Sequence, residues 1–282
     1  MKKIVSLILA LTLCLGVAFS LTSCGVEPAK DFENVTDEGK LIVGMTFFEP
    51  MNYKDKSDKL IGFDTEYARA VANYFGVQVE FVEINWGSKY LELEAGTIDC
   101  IWNGFTSNSS DDGVARKDKV DFTTGYANNY QCIVVNPAKV DVANFTLDSV
   151  KGLKCCVEEG SAGADFAKDL TDDIVTKDAQ IDAFTELKAG AVDFIVVDVL
   201  LAARTCGRGD YANCEIAYED EENVEIYAIG CRKGSNLDEK INEATKYLMN
   251  DGVNGGISTL EWLAYKYDVT LSADILALKE AK

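Results

Sequence analysis

Histidine is absent from the 282-residue chain, and proline occurs only three times. The absence of histidine excludes catalysis by Ser-His or Cys-His pairs, histidine-ligated zinc and histidine-based pH switching. A Cys-x-x-Cys motif is also missing, so neither a zinc ribbon nor a thioredoxin-type redox site is predicted. The sequence therefore predicts no metal site, no cofactor and no catalytic residue.

Basic side chains are scarce relative to acidic ones. The 27 Lys and Arg residues stand against 47 Asp and Glu residues, which gives a formal net charge of −20. A surface of this charge repels phosphate backbones and argues against nucleic-acid binding, although it also attracts cationic solutes. Because 48% of the residues are hydrophobic, we expect a packed core rather than a disordered chain, and the length suits two domains.

Long hydrophobic runs are confined to the beginning of the sequence. Lys2 and Lys3 precede an uncharged segment, residues 4–22, that is rich in Leu, Ile, Val and Ala. This pattern is typical of a signal peptide, predicted over residues 1–23, although the length alone would also suit an uncleaved anchor helix. Leu21-Thr22-Ser23-Cys24 resembles the lipobox of bacterial lipoproteins. That resemblance implies a lipid on Cys24, a polar tether over residues 24–40, and a folded part outside the cytoplasmic membrane, held there only by the lipid.

Seven cysteines are left once Cys14 and Cys24 are set aside, and an odd number cannot pair completely. Most of them stand in apolar runs, as small buried hydrophobic residues do. Cys206 and Cys214 flank a glycine-rich turn and could form a disulfide, and the sequence leaves their state open. Mostly reduced cysteines in an exported protein indicate a weakly oxidising habitat.

From about residue 40 onward, hydrophobic periodicity alternates between strands and helices. The first half predicts strands at 41–44, 77–82 and 98–102 and helices at 65–75 and 88–94, with Asp64 as the N-cap of the helix at 65–75. The second half predicts strands at 154–157, 192–197 and 226–231 and helices at 162–170, 181–189, 237–250 and 257–267. Residues 93–99 and 187–193 are near copies, each with a helix end, a glycine stop and a strand. The pattern predicts an α/β protein with two similar lobes.

Six short stretches, in their order and spacing, resemble the extracellular solute-binding proteins of polar amino-acid ABC transporters, family 3 of the bacterial solute-binding proteins. They are residues 60–64, 84–89, 97–106, 116–122, 191–198 and 232–234, and the similarity covers roughly residues 41–263. It implies a two-lobed, periplasmic-binding-protein-like fold of type II, in which each lobe is a mixed sheet flanked by helices. Lobe 1 would comprise residues 41–126 and 228–282, lobe 2 would comprise residues 131–222, and two hinge strands would lie near 126–130 and 223–227.

The resemblance also implies a site for a free amino acid. Arg116 matches the arginine that binds the ligand α-carboxylate, and Asp198 matches the aspartate that binds the α-ammonium, pairings that suit the chemistry of both groups. The other predicted site residues are Thr106 and the Asn103-Gly104 backbone, which share these charged ends, Ser161 at a helix N-terminus, the aromatic walls Phe48 and Trp86, and Glu158, which would suit a cationic side chain if it faced the cleft.

Two departures from the family pattern limit what it implies about the ligand. Nine residues, Ser107–Ala115, separate Thr106 from Arg116 where the family usually has fewer, and their effect on the rim of the site stays open. Thr46 stands where several members have an aspartate that contacts the ligand side chain. Basic amino acids, cystine and glutamine therefore all fit, and the affinity is not predicted.

Ordinary structural roles compete with these assignments. A single arginine is most often a solvated surface charge, Asp198 could cap a helix over 200–205, and Glu49, Glu158 and Glu159 would more often be solvated than buried. The expected function is the capture of a free amino acid by cleft closure, in a monomer that serves the permease subunits of an ABC importer. A cyclohexadienyl dehydratase-like enzyme with Glu158 as its acid, and an amino-acid-sensing lipoprotein, are the alternatives.

Overall fold

Residues 30–279 are described by a computed structural model, so the predicted signal peptide and Cys24 lie outside the described residues. The first part of the chain forms α1 (Asp31–Glu38), β1 (Lys40–Met45), β2 (Tyr53–Lys54), β3 (Leu60–Ile61), α2 (Phe63–Phe75), β4 (Gln78–Glu83), α3 (Lys89–Ala95), β5 (Cys100–Ile101), β6 (Ser110–Asp111), β7 (Val114–Ala115), α4 (Arg116–Lys119), β8 (Asp121–Phe122) and β9 (Ala127–Asn129). Within residues 30–279, no helix has the length and apolar character needed to cross a membrane.

The rest of the described chain repeats the alternation. It forms β10 (Gln131–Val135), β11 (Cys155–Glu158), α5 (Ala162–Lys168), β12 (Ile174–Lys177), α6 (Gln180–Ala189), β13 (Phe194–Asp198), α7 (Val199–Thr205), β14 (Glu215–Glu219), β15 (Glu225–Tyr227), β16 (Gly230–Cys231), α8 (Leu237–Leu248), α9 (Thr259–Tyr267) and α10 (Ala273–Leu276). Short 3₁₀ turns lie at Trp86–Ser88, Leu147–Val150 and Gly209–Tyr211.

Two five-stranded mixed sheets organise these elements. The first has the order β4-β1-β5-β16-β8, with β1 parallel to β4 and β5, and β16 antiparallel to β5 and β8. The second has the order β12-β11-β13-β10-β14, with β11 parallel to β12 and β13, and β10 antiparallel to β13 and β14. The predicted α/β class with two mixed sheets flanked by helices is confirmed.

Two antiparallel strands connect the sheets. β9 and β15 pair with each other, with Asn129 opposite Glu225 and Ala127 opposite Tyr227. The chain passes from the first sheet to the second through β9 and returns through β15, so the first sheet contains strands from both ends of the described chain. That the two halves move as separate lobes about this ladder stays a prediction.

An aromatic cluster fills the core on the helix-covered face of the first sheet. The Tyr67 ring meets Trp102 edge-on at 4.8 Å between ring centroids and Tyr126 at 5.8 Å, and its hydroxyl shares a 2.5 Å hydrogen bond with Thr245. All three rings are fully buried or nearly so. The cluster therefore ties α2 and α8 to the sheet and fixes the strand ends beside which the cavity lies.

The glycine stops of the sequence analysis are confirmed, and several other predictions are not. Gly96 and Gly190 end α3 and α6 in the left-handed conformation, with φ of 72° at both positions. The predicted strand at 226–231 is two short strands, because the chain leaves the β9 ladder after Tyr227 before it joins the first sheet at Gly230. The seven cysteines of the described chain are all free, Cys206 and Cys214 included.

The prediction that Asp64 caps a helix is wrong. Helix α2 begins at Phe63 after Gly62, whose φ of 129° and approach to the Met51 carbonyl leave no room for a Cβ atom. The Asp64 side chain points inward and is fully buried. Its Oδ2 accepts hydrogen bonds from the Gly104 amide at 2.9 Å and the Tyr126 hydroxyl at 3.0 Å. Asp64 therefore supports the backbone at Gly104 rather than the start of its own helix.

The predicted polar tether over residues 24–40 also differs from the structure, which contains a helix in the second half of that range. Residues 31–38 form α1, which docks on the folded protein through Phe32, whose ring lies 5.0 Å from Phe75, and through Asp31. The Asp31 carboxylate accepts a 2.9 Å hydrogen bond from Nε of Arg232. The same guanidinium donates to the Leu93 and Ile98 carbonyls, so one side chain connects α1, α3 and the segment just before β5.

Replacement of Arg232 tests this connection. Arg232→Met removes the partner of the buried Asp31 and two further hydrogen bonds, so we expect the free energy of unfolding to fall by about 2–4 kcal/mol. The control is Lys233→Met, which deletes the same charge at the next, largely exposed position and should cost less than about 1 kcal/mol. Urea unfolding measures both, and equal losses for the two variants would contradict the role given to Arg232.

Candidate ligand-binding site

A cavity lies between facing strand ends of the two sheets. The first-sheet half contributes Trp86, Asn103, Gly104, Thr106 and Arg116, and the second-sheet half contributes Glu158, Ser161, Ala162, Gln180 and Asp198. Eight of the nine side chains or backbone segments predicted for the site are therefore brought together. The ninth, Phe48, is buried behind Gly104 and contacts Tyr227 edge-on.

Arg116 occupies the first position of α4 and is only 1% exposed. Its Nε donates to Asp111 Oδ1 at 2.9 Å, and its two Nη atoms donate to the carbonyls of Thr106 and Gly160 at 3.3 Å each. The guanidinium also lies 5.1 Å from the centre of the Phe105 ring. The interpretation of Arg116 as a solvated surface charge is therefore excluded, and its orientation is fixed by the protein.

Asp111 belongs to the insertion whose effect the sequence left open. Residues 107–115 contain the β6-β7 hairpin, which pairs Ser110 with Ala115 and Asp111 with Val114. Besides Arg116, the Asp111 carboxylate accepts from the Tyr90 hydroxyl and from Lys119 at 3.4 Å. These contacts with cations lower the pKa of Asp111 despite its burial, Arg116 having the largest effect among them. The insertion thus supplies a carboxylate that orients the arginine.

Lys89 is a second buried cation that sequence reasoning missed. It is 2% exposed, and its Nζ lies among the rings of Trp86, Tyr90 and Phe105 at 4.8–5.9 Å from their centres. Burial, together with the neighbouring Arg116, lowers its pKa to about 8. A lysine of this kind is hard to find in a sequence because Trp86 and Tyr90 are local neighbours in any conformation, whereas the contact with Phe105 depends on the fold.

The carbonyl of Gly160 is where the two halves meet. It accepts from Lys89 Nζ at 2.9 Å and from Arg116 Nη2 at 3.3 Å, so two cations of the first half hold one loop of the second half. Farther out, Asn85 donates to Asp178 at 2.6 Å and Lys168 donates to Asp112 at 2.9 Å across the same gap. The two halves are therefore in direct contact across the cavity.

Three buried acids gather on the opposite side of the cavity. Asp198 Oδ1 and the carboxylate of Glu225 share two donors, the side-chain amides of Asn129 (2.6 and 2.7 Å) and Gln131 (2.6 and 3.1 Å). Asp198 Oδ2 accepts from Gln180 as well. Glu158, at the end of β11, is 3% exposed, and its Oε1 has no hydrogen-bond partner.

The three acids differ in what raises their pKa values. Burial raises the pKa of Asp198 and of Glu225, and the closeness of the two carboxylates adds to the shift of Glu225. Burial together with nearby Asp198 raises the pKa of Glu158 to about 8. Asp198 precedes α7 as sequence reasoning expected, but its side chain makes no capping hydrogen bond and is committed to the amides.

Two other predicted residues keep structural roles beside the cavity. Ser161 is the N-cap of α5, and its hydroxyl oxygen accepts a 3.0 Å hydrogen bond from the Ala164 amide, which leaves the hydroxyl hydrogen available to a ligand. Gly104 has a φ of 58°, and a Cβ atom there would lie 2.8 Å from the Phe48 ring and 3.0 Å from the Tyr227 ring. Only glycine fits this position, so the backbone rather than a side chain faces the cavity there.

Glu225, Asn129, Gln131 and Gln180 were all missed by sequence reasoning. The first three lie on β9, β10 and β15 and become neighbours only through strand pairing. A weak signal existed, because polar residues inside otherwise apolar strands are seldom there without a partner. Within residues 30–279, no group of three metal-ligating side chains is arranged to hold a metal ion.

Comparison with known proteins assigns the chain to a family. The family model of the bacterial extracellular solute-binding proteins, family 3, matches residues 41–260. The chain belongs to this family. The sequence-based family prediction and the type II fold are thereby confirmed.

Individual relatives of this solute-binding protein cover nearly its whole length. It is 29% identical to a probable amino-acid ABC transporter-binding protein of Haemophilus influenzae, over 90% of this chain and 95% of that protein. It is 33% identical to a solved ancestral arginine-binding protein bound to arginine, with a TM-score of 0.71 over 81% of this chain and 98% of that one. It is also similar to an ancestral amino acid-binding protein that is a precursor of cyclohexadienyl dehydratase, with 27% identity and a TM-score of 0.71 over 85% and 99% of the two chains.

The buried carboxyl groups predict an unusual pH dependence of the stability of this solute-binding protein. Glu158 and Asp64 have pKa values of about 8 and about 7, raised by burial above those of the unfolded chain. The folded state therefore binds these protons more tightly than the unfolded state does. The free energy of unfolding falls as the pH rises from the pKa of the unfolded carboxyl groups, about 4, to the higher pKa values of the folded state. We expect a higher melting temperature at about pH 5.5 than at about pH 8 in the absence of amino acids.

A pair of variants separates this cause from the general repulsion of the acidic surface. Glu158→Gln removes one titrating group and should reduce the difference in melting temperature between the two pH values. Glu159→Gln deletes the same charge at an adjacent exposed residue and should leave most of the difference in place. Scanning calorimetry measures both, and a stability that increases over this pH range would contradict the assignment of raised pKa values.

Proposed function

We propose that this protein is the substrate-binding component of an ABC importer and captures a free amino acid outside the cytoplasmic membrane. The observation that carries the proposal is the placement of Arg116 and Asp198 on opposite sides of one buried cavity. A free amino acid has one negative and one positive end, and these two side chains complement them. Membership of a family of solute-binding proteins supports the same function, as does the binding of arginine by an ancestral relative.

The carboxylate end fits Arg116 by donor count. A guanidinium has five N–H donors, and the contacts with Asp111, Thr106 and Gly160 use three of them. Two donors are left for a ligand carboxylate, and the 3.3 Å length of the two carbonyl contacts means that they are readily exchanged for a stronger acceptor. Asp111 holds the Nε edge, so the Nη edge is the one presented to the ligand.

The ammonium end fits Asp198 by acceptor count. An ionised carboxylate offers about four acceptor positions, and the amides of Asn129, Gln131 and Gln180 take three. A ligand ammonium would take the fourth and would replace the missing positive charge beside the Asp198 and Glu225 pair. Without such a cation, burial of the pair is costly, which is why their pKa values are raised.

Capture follows from the division of these groups between two halves. Arg116, Thr106 and Trp86 belong to the first-sheet half, whereas Asp198 and Ser161 belong to the second, and β9 and β15 are the covalent connections that would serve as hinges. A ligand bound to one half gains its remaining partners only on closure, so it shifts the equilibrium towards the closed form. No bond of the ligand needs to change in this process.

Substitutions of the two charged anchors test the proposal. Calorimetric titration with the amino acid that raises the melting temperature most should show a loss of about 3–5 kcal/mol for Arg116→Ala and for Asp198→Asn. Lys117→Ala, next to Arg116 but exposed, should bind as the parent does. If either anchor variant binds as tightly as the parent, that residue does not contact the ligand. If none of the twenty amino acids or cystine shifts the melting temperature, the proposed function fails.

Attachment to the membrane is the second part of the proposal. The lipobox-like residues 21–24 support a lipidated Cys24 after removal of residues 1–23, which would keep the protein beside the permease subunits that it serves. In cells labelled with a fatty acid, we expect the parent to carry the label and Cys24→Ala to lose it and to leave the membrane fraction. Label retained by Cys24→Ala would contradict lipidation at this residue.

One observation favours a second candidate, a dehydratase acting on a cyclohexadienyl substrate. The raised pKa of Glu158 keeps that carboxyl group largely protonated at neutral pH, as a general acid requires, and it lines the cavity. The similarity to a precursor of cyclohexadienyl dehydratase concerns the same fold. Turnover of prephenate or arogenate by the purified protein, abolished by Glu158→Gln, would establish this activity, and binding without turnover would exclude it.

A further inference from the structure

The cavity contains one acid more than the two ends of an amino acid require. Its charged lining residues are Arg116, Asp198 and Glu158. Arg116 is matched by the ligand carboxylate and Asp198 by the ligand ammonium, which leaves Glu158 without a counterpart. Glu158 is buried, with only 3% of its surface accessible. A buried carboxylate is stable only if a cation or several hydrogen-bond donors reach it.

Within the described part of the chain Glu158 is only partly satisfied, by a hydrogen bond with Gln180 and by the charges of Lys89 and Arg116. Among the side chains that line the cavity, it alone has a buried polar atom, Oε1, without a hydrogen bond. Lys89 and Arg116 face Glu158, but their hydrogen bonds go to other acceptors. Lys89 Nζ donates to the carbonyls of Gly160 at 2.9 Å and Trp86 at 3.4 Å, and Arg116 Nε donates to Asp111 at 2.9 Å. One oxygen of a carboxyl group that lines the cavity is therefore left for a donor that a ligand would supply.

The surroundings of Glu158 further favour a positive partner over a neutral one. Asp198 lies on the neighbouring strand β13 of the same sheet, and Glu225 shares two amide donors with Asp198. Together these acids make this side of the cavity negative, so a ligand cation there interacts favourably with more than one carboxylate. Trp86 lines the same cavity and offers an apolar wall for the methylene stem of a long side chain.

We infer that the ligand is an amino acid with a positively charged side chain, and that Glu158 is the residue that binds its guanidinium or ammonium group. This inference rests on the proposed function, because it takes the α-carboxylate and α-ammonium to be held by Arg116 and Asp198. A neutral polar side chain, such as that of glutamine, would leave Glu158 either uncompensated or protonated. Selection among amino acids therefore depends on the charge of this one side chain.

Arginine and citrulline form the pair of ligands that tests the inference, because they have nearly the same shape and differ in side-chain charge. We expect the parent to bind L-arginine about 100-fold more tightly than L-citrulline in calorimetric titrations, and Glu158→Gln to lose most of that preference. The loss should appear as weaker arginine binding with citrulline binding unchanged or improved, which also shows that the variant is folded. Glu159→Gln, with the same loss of charge on an exposed neighbour, should keep the preference of the parent.

A second readout comes from the proton on Glu158. The groups that face Glu158 are Asp198 and Gln180 from the second half and Lys89 and Arg116 from the first, and in their presence its pKa is about 8. A ligand cation lowers that pKa, so arginine binding near pH 7 should release a proton, seen as a dependence of the binding enthalpy on the buffer. Citrulline should release fewer protons than arginine, because both ligands bring an α-ammonium to Asp198 and Glu225 but only arginine brings a second cation. Glu158→Gln should remove this difference between the two ligands.

The outcomes separate the inference from the function on which it rests. Equal or tighter binding of citrulline by the parent, or arginine binding unaffected by Glu158→Gln, would overturn the inference. If a neutral amino acid binds most tightly and still depends on Arg116 and Asp198, the proposed function stands and only the inference falls. If no amino acid binds at all, both fall together.

Discussion

The structure depends on the burial of opposite charges between its two sheets. Arg116 and Lys89 approach from one side, and Asp198, Glu158 and Glu225 from the other, all at 9% exposure or less. Burial of this many ionisable groups costs free energy unless each one acquires a partner. The protein supplies some of these partners itself, through Asp111 for the cations and amides for the acids, and leaves others to a ligand. The fold can be understood as the scaffold that keeps these groups apart and correctly oriented.

The supporting residues show how that scaffold works. Asp111 on the inserted hairpin fixes Arg116, and Asp64 holds the Gly104 amide from within the first core. On the other side, Asn129 stands on β9, one of the strands that connect the sheets, and Gln131 begins β10 two residues later, so the acids are held at the segment that would flex during closure. Ligand contacts and the relative position of the two halves are thereby linked, which is the physical requirement for a binding protein that closes on its cargo.

Local signals in the sequence were sufficient for the elements and for the anchors of the site. Gly96 and Gly190 stop their helices as predicted. The family resemblance predicted that Arg116, Asp198 and Trp86 share a site, and all three line one cavity. Asp64 was misjudged because an acid at a helix start is usually a cap, whereas its partners Gly104 and Tyr126 lie 40 and 62 residues away.

Long-range side-chain networks were out of reach for the same reason. Glu225 joins Asn129 across 96 residues of sequence and Gln131 across 94, and nothing in the local pattern of any of the three residues indicates this. The burial of Lys89 likewise depends on the contact with Phe105 that the fold creates. Helix α1 was taken for tether because it is short and polar, and only its contacts with Phe75 and Arg232 reveal it as part of the fold.

A crystal structure of the protein with its tightest-binding amino acid tests the central claim most directly. The account predicts the ligand α-carboxylate within hydrogen-bonding distance of the Arg116 Nη atoms, the α-ammonium against Asp198, and a side-chain cation against Glu158. A ligand found outside this cavity, or one that leaves both Arg116 and Asp198 without a ligand contact, would contradict it.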